Sequence, residues 1–150
     1  MDLFSFANRF PRFIIMNKVL ILLLILLATQ ALSGQIVSTV YKTHILIADS
    51  LYQQKNYKNA GSVYSEAFKE NGNKGLINDR YHAACSYALS GNTDSAFYNL
   101  FRIAEKAGWN KYELLIADTN LNSLHMDERW NKLVNKVRSN KAITDADEIK

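Results

Sequence analysis

The chain has 150 residues, with 18 Lys and Arg against 14 Asp and Glu, and a single cysteine, Cys85. One thiol excludes an internal disulfide, so the fold must rest on its apolar core. From Gln35 onward the balance is 15 basic to 13 acidic residues, a net of +2, which argues for no nucleic-acid partner and no membrane-surface role.

Val19 to Ala28 is an uninterrupted apolar run preceded by Asn17-Lys18. Ten helical residues rise only about 15 Å, against a bilayer core of about 30 Å. The run therefore suits the apolar region of a secretory signal better than a membrane span. Small residues at Ala31-Leu32-Ser33 predict cleavage after Ser33 or Gly34, so that residues 1–34 are a leader and the product is exported, periplasmic or secreted. Met16 directly before Asn17-Lys18 would start a leader of ordinary length. The alternative keeps residues 14–28 as an anchor, since Ile14-Ile15-Met16 can lengthen the apolar stretch. The protein is then a membrane-anchored structural protein, and only in that case does it meet a membrane.

After the leader, helical periodicity dominates. Val37, Val40, Tyr41, His44, Ile47, Ala48 and Leu51 follow the three-four spacing of one helix face. Asn56 closes that helix, and Tyr57 opens the next, with Ala60, Val63, Tyr64, Ala67 and Phe68 on its apolar face. Glu70 to Gly75 holds two glycines and reads as a loop. A third helix is predicted from about Leu76 to Leu89. Gly91 is placed as its C′ residue, and Thr93 or Asp94 as the cap of a fourth helix carrying Ala96, Phe97, Leu100, Ile103 and Ala104. Beyond Gly108 come a short helix at Tyr112–Ile116, a turn capped by Asp118-Thr119 with Leu121 and Leu124, and a last helix from about Asp127. Trp130, Leu133, Val134 and Val137 share one face of that helix. The polar tail, residues 139–150, is expected to fray. No segment alternates as a strand does, so the fold class is all-α, with about six to seven helices including short ones.

The spacing of Tyr57 to Ala67 returns 36 residues later around Ala96, and repetition at such a period marks a helical array. The residues resemble the tetratricopeptide repeat, a family of 34-residue helix pairs. Ala48, Leu51, Tyr57, Ala60, Tyr64 and Ala67 match its small, large and aromatic positions in one repeat. Ala84, Tyr87, Gly91 and Ala96 match in a second, with Leu100 and Ile103 at the two later places. His44 and Arg80 depart from it, standing where the family often has Trp. Tyr81 to Gly91, followed by Asp118-Thr119-Asn120-Leu121-Asn122-Ser123-Leu124, is similar to the end-of-group segment seen after such repeats in exported bacterial proteins. The resemblance implies a short right-handed solenoid over residues 35–138. Its repeats fall at about 41–74 and 77–110, with a cap at 111–138.

Candidate chemistry is sparse. His82 and Cys85 share a helix face, but a nucleophilic thiol needs a base and an orienting group, and zinc needs three or four ligands. We read Cys85 as a packed thiol and Glu66 with Glu70 as a solvated face. There is no Gly-x-Ser-x-Gly elbow and no phosphate loop. The sequence thus predicts a non-catalytic protein with no cofactor and no metal. Arg129, Lys132, Lys136, Arg138 and Lys141 form a basic stripe on the last helix, suited to an acidic partner or simply to the helix dipole. Trp109, Tyr112 and Trp130 suit packing of the terminal helices over the last repeat.

The resemblance implies a concave face lined by Lys42, Ile45, Asp49, Tyr52 and Gln53 from the first repeat and Asn78, Tyr81, Cys85 and Ala88 from the second. That mixture suits an extended peptide or a helix of a protein partner. The role so implied is an adaptor or assembly subunit, or an accessory subunit of an envelope enzyme. The competing reading is that the same face packs against another helix of its own chain.

Overall fold

The structure, a computed structural model, describes residues 39–148 together with Lys18, Leu20 and Ile21. The expected leader, its cleavage point and the anchor alternative therefore lie outside the described residues, apart from those three helical positions. The chain divides into two compact units, Met1–Thr39 and Val40–Lys150, and the helical architecture belongs to the second.

Seven helices and no strand occur among the described residues, in agreement with the all-α expectation. They are α1 (39–53), α2 (Tyr57–Glu70), α3 (Ile77–Leu89), α4 (Thr93–Lys106), α5 (Tyr112–Ala117), a 3-10 helix (Thr119–Leu124) and α6 (Glu128–Glu148). Consecutive helices pack together where α3 lies on α2 and α4, while the 3-10 helix folds back on α3 and α6 on α4 and α5.

The turns are fixed by local backbone chemistry. At the end of α3, Gly91 takes φ 79°, its N–H donates to Ala88, and the Asn92 N–H reaches back to Tyr87 at 2.8 Å. This is the paired closure of a Schellman motif, and it needs a residue in the left-handed region where glycine carries no Cβ strain. The α1–α2 turn repeats the pattern with Lys55 at φ 59°, and Asn56 N–H returns to Leu51 at 2.9 Å. The cap of α4 is Asn92, whose side chain accepts from Ser95 N–H, and not Thr93 or Asp94 as expected. Asp118 caps the 3-10 helix through Asn120 N–H, and Asp127 accepts from Arg129 N–H at the start of α6.

Two apolar clusters form the core. The first joins Tyr41 and Ala48 of α1 to Ala60, Tyr64, Ala67 and Phe68 of α2 and Ala83 of α3. The second joins α3 and α4 to the 3-10 helix and α6, with Leu100, Leu121, Leu124, Leu133 and Val137 all fully enclosed. Between α2 and α3 the chains approach closely at Gly61, where an added Cβ would lie 2.8 Å from the Tyr87 ring. The Tyr87 hydroxyl donates to the Gly61 carbonyl at 2.7 Å and stands 2.6 Å from the Ser65 hydroxyl.

The tail differs from expectation. Residues 139–148 continue α6 because Asn140, 7 % exposed, donates to both the Ala104 and the Trp109 carbonyls, at 2.7 and 2.9 Å. Thr144 then accepts from the Asn110 amide at 3.1 Å. These ties run to the end of α4 and the loop after it, more than thirty residues away, and they hold in place a segment whose composition alone reads as frayed.

Candidate functional site

The face shared by α1 and α3 is built around a run of aromatic rings and two carboxylates. On α1, Asp49 accepts from the Tyr64 hydroxyl and lies 3.6 Å from His82 Nδ1. One turn on, Tyr52 stacks on the His82 ring (centroids 6.3 Å apart, planes at 17°) and meets Tyr57 edge-on at 5.4 Å. On α3, the Tyr81 hydroxyl donates to Asp118 Oδ2 at 2.6 Å, and its ring packs against Trp109 at 5.1 Å. Cys85 Sγ points to the same Asp118 oxygen at 3.6 Å.

The electrostatics keep these groups neutral or paired. Burial, and then the hydrogen bond to Asp118, raise the Tyr81 phenol far above its ordinary range. Tyr52 is pushed up to about 12, chiefly by burial and then by the neighbouring Cys85 and Asp118. Burial likewise raises the Cys85 thiol, with the Asp118 charge adding to it. A reactive thiol needs the opposite shift. His82 is turned to Asp49 and Tyr52 rather than to Cys85, so these two residues do not form a base–nucleophile pair. Among the described residues no three His, Cys, Asp or Glu side chains converge as metal ligands.

The nine residues expected to line the concave face separate into three sets. Lys42, Gln53 and Asn78 are exposed, and Ile45, Asp49 and Tyr52 are half-buried. Tyr81, Cys85 and Ala88 are buried: Asp118 closes over the first two, and the Ser123 hydroxyl donates to the Ala88 carbonyl at 3.0 Å. The 3-10 helix thus occupies the far end of the face, and only its near end remains open.

That open end leads into a cavity of about 790 Å³ between the start of α3, the α4–α5 loop and α5. Asn78, Tyr81 and His82 form one wall, and Trp109, Asn110 and Leu114 form the other. None of the five α1 residues lines it, and no carboxylate does. Gly108, at φ 63°, reverses the chain there and lets the Trp109 N–H return to the Ile103 carbonyl, which sets the indole against Tyr81. Sequence reasoning weighed a binding role for Trp109 and favoured packing. The signal for its second role is its position directly after a left-handed glycine, which turns the ring across the end of the groove.

Four of the five basic residues in the stripe of α6 are held by neighbours. Arg129 pairs with Asp94 and Asp127 and lies 4.4 Å from the Phe97 ring centroid. Arg138 lies over Tyr112 and donates to its hydroxyl at 2.8 Å. Lys132 faces Phe101, and Lys141 meets Asp145 and Glu113. No described helix is long and apolar enough to cross a membrane. No family model, curated protein or solved structure matches this chain.

Proposed function

We propose that the chain is a two-pair array of the tetratricopeptide kind, exported, and that it works as a non-catalytic protein-interaction module. The observation that carries this reading is the 790 Å³ cavity, which opens at the end of the α1–α3 face and is walled by Trp109 and Leu114 on one side and Tyr81 on the other. Aromatic and aliphatic walls with a few convergent polar groups are what a peptide side chain and its flanking backbone need. In this reading an apolar side chain of an extended partner enters beside Trp109, while Asn78 and Asn110 bond the partner's backbone. Support for the repeat assignment comes from Ala48, Ala60, Ala67, Ala84 and Ala96, all 0 % exposed where helices approach closely. Export rests on the Val19–Ala28 run and the small residues after it.

Selection from a displayed peptide library, followed by amide-shift mapping on the chain, tests the groove. Selected peptides should shift Asn78–His82 and Ala107–Leu114, and Asn78→Ala/Leu114→Ala should weaken them by about tenfold or more. Leu114 is 50 % exposed, so the variant retains its core. Peptides that bind the variant as tightly as the wild type would remove the groove from consideration.

A further inference from the structure

The loop between α2 and α3 covers a cluster of positive charge that forms no ion pair among the described residues. Arg80 is 3 % exposed, its guanidinium lies 4.3 Å from the Phe68 ring centroid, and it donates to the Asn99 side-chain oxygen at 2.9 Å and the Asn73 carbonyl at 2.8 Å. Both acceptors are neutral. Arg102 of α4 donates to the same Asn73 carbonyl at 3.0 Å, so two guanidinium groups share one oxygen. With Lys74 and Lys106 they wall a cavity of about 180 Å³ that has no acidic residue in its lining. None of the four cations forms an ion pair with a carboxylate among the described residues. Asp79, next to Arg80 in sequence, is taken by the Tyr41 hydroxyl, and Glu105 lines a neighbouring cavity together with Arg102, Lys106 and Lys132 without forming an ion pair with any of them.

Helix dipoles do not account for this arrangement. Arg102 and Lys106 near the end of α4 complement its negative pole, but Arg80 lies in the first turn of α3, where the dipole is positive and a cation is disfavoured. A guanidinium more than nine-tenths buried, at the wrong end of a helix, beside a second guanidinium, is costly without a counter-charge. Burial and the Arg102 charge both pull its proton affinity down. Forked arginines and point-charge lysines are the side chains that hold phosphate oxygens.

We propose that this cavity binds a small oxyanion of the phosphate class, either free phosphate or the monoester group of a small molecule or lipid head. At about 180 Å³ it has less than a quarter of the volume of the peptide groove, room for one such group and not for a peptide segment. The cavity shares only Ile77 and Ala107 with the peptide groove, so the two proposals fail independently.

The test titrates inorganic phosphate into the full chain at constant ionic strength set with chloride, following backbone amide shifts. Saturable shifts confined to Lys74–Arg80 and Arg102–Ala107 are expected, with affinity about tenfold weaker or worse in Arg102→Gln/Lys106→Gln. Neither of those side chains is buried, and an unchanged helical spectrum checks that the variant folds. Glycerol phosphate and vesicles containing phosphatidic acid, as parallel arms, separate a free ligand from a lipid head, and either result supports the site. Shifts that chloride reproduces, that fail to saturate, or that survive in the double variant would overturn it.

Discussion

The cluster joining α1 to α2 centres on Tyr41, Ala48, Ala60, Tyr64, Ala67 and Phe68, whereas the one joining α4, the 3-10 helix and α6 centres on Leu100, Ile103, Leu121, Leu124, Leu133 and Val137. In the first, alanines let backbones approach, and tyrosine hydroxyls then bond carboxylates, Tyr64 to Asp49 and Tyr41 to Asp79. In the second, branched aliphatic side chains fill the space between α4, the 3-10 helix and α6, and the Tyr81–Asp118 hydroxyl–carboxylate bond lies at its α3 edge. The first region therefore leans on directional bonds that titrate, and the second chiefly on volume that does not. Burial of apolar volume scales with the atoms enclosed, while a tyrosine–carboxylate bond depends on both partners keeping their protonation state.

The largest effect should come from breaking the aliphatic region. Leu133→Ala empties a fully enclosed site and should lower unfolding stability by about 2–5 kcal/mol, read from urea denaturation. A loss as small as that of a surface substitution would mean that α6 can collapse onto α4, and the contrast between the regions would weaken. Gly61→Ala tests the junction between them. Its new methyl would fall within 3 Å of the Tyr87 ring, and overpacking there should cost about 1–3 kcal/mol, with the Gly61–Tyr87 hydrogen bond displaced.

The smallest effect is the most discriminating. The Tyr41 phenol is raised to about 12 by burial and by its bond to Asp79. An acid whose folded value lies above the unfolded value of about 10 stabilises the fold below that value and loses its contribution as pH rises towards about 12. Melting temperature should therefore fall across this alkaline window, and Tyr41→Phe should flatten part of the slope. Leu133→Ala should lower the whole curve and leave the slope unchanged. Equal slopes in wild type and Tyr41→Phe would show that the tyrosines of the first region do not control its alkaline response.

The helices were legible because their signals are local. Ala60, Tyr64 and Ala67 on one face, Gly91 as a left-handed terminator, and Trp130, Leu133, Val134 and Val137 on one stripe are all where periodicity and capping place them. What sequence reasoning missed depends on partners far along the chain. Asp118 meets Tyr81 and Cys85 more than thirty residues away, and this meeting hides half of the expected α3 lining. Residues 139–148 look disordered by composition, yet Asn140 answers two orphaned carbonyls on another element. Arg129 and Arg138 form a stripe only on a helical wheel, because each is held by an acid or an aromatic ring of its surroundings. Arg80, where the resemblance expects Trp, lays its guanidinium against Phe68.

The Tyr87 hydroxyl reaches from one helix pair to the backbone of the other, bonding the Gly61 carbonyl at 2.7 Å at the point where no side chain separates the two helices. Sliding α2 along α3 by one residue would displace that oxygen by about 1.5 Å, enough to break the bond. Swinging the pairs apart about the same contact leaves its length nearly unchanged. The joint is therefore stiff in shear at this point, and any widening of the face between α1 and α3 has to loosen the Tyr41–Asp79 bond and the Tyr52–His82 stack as well.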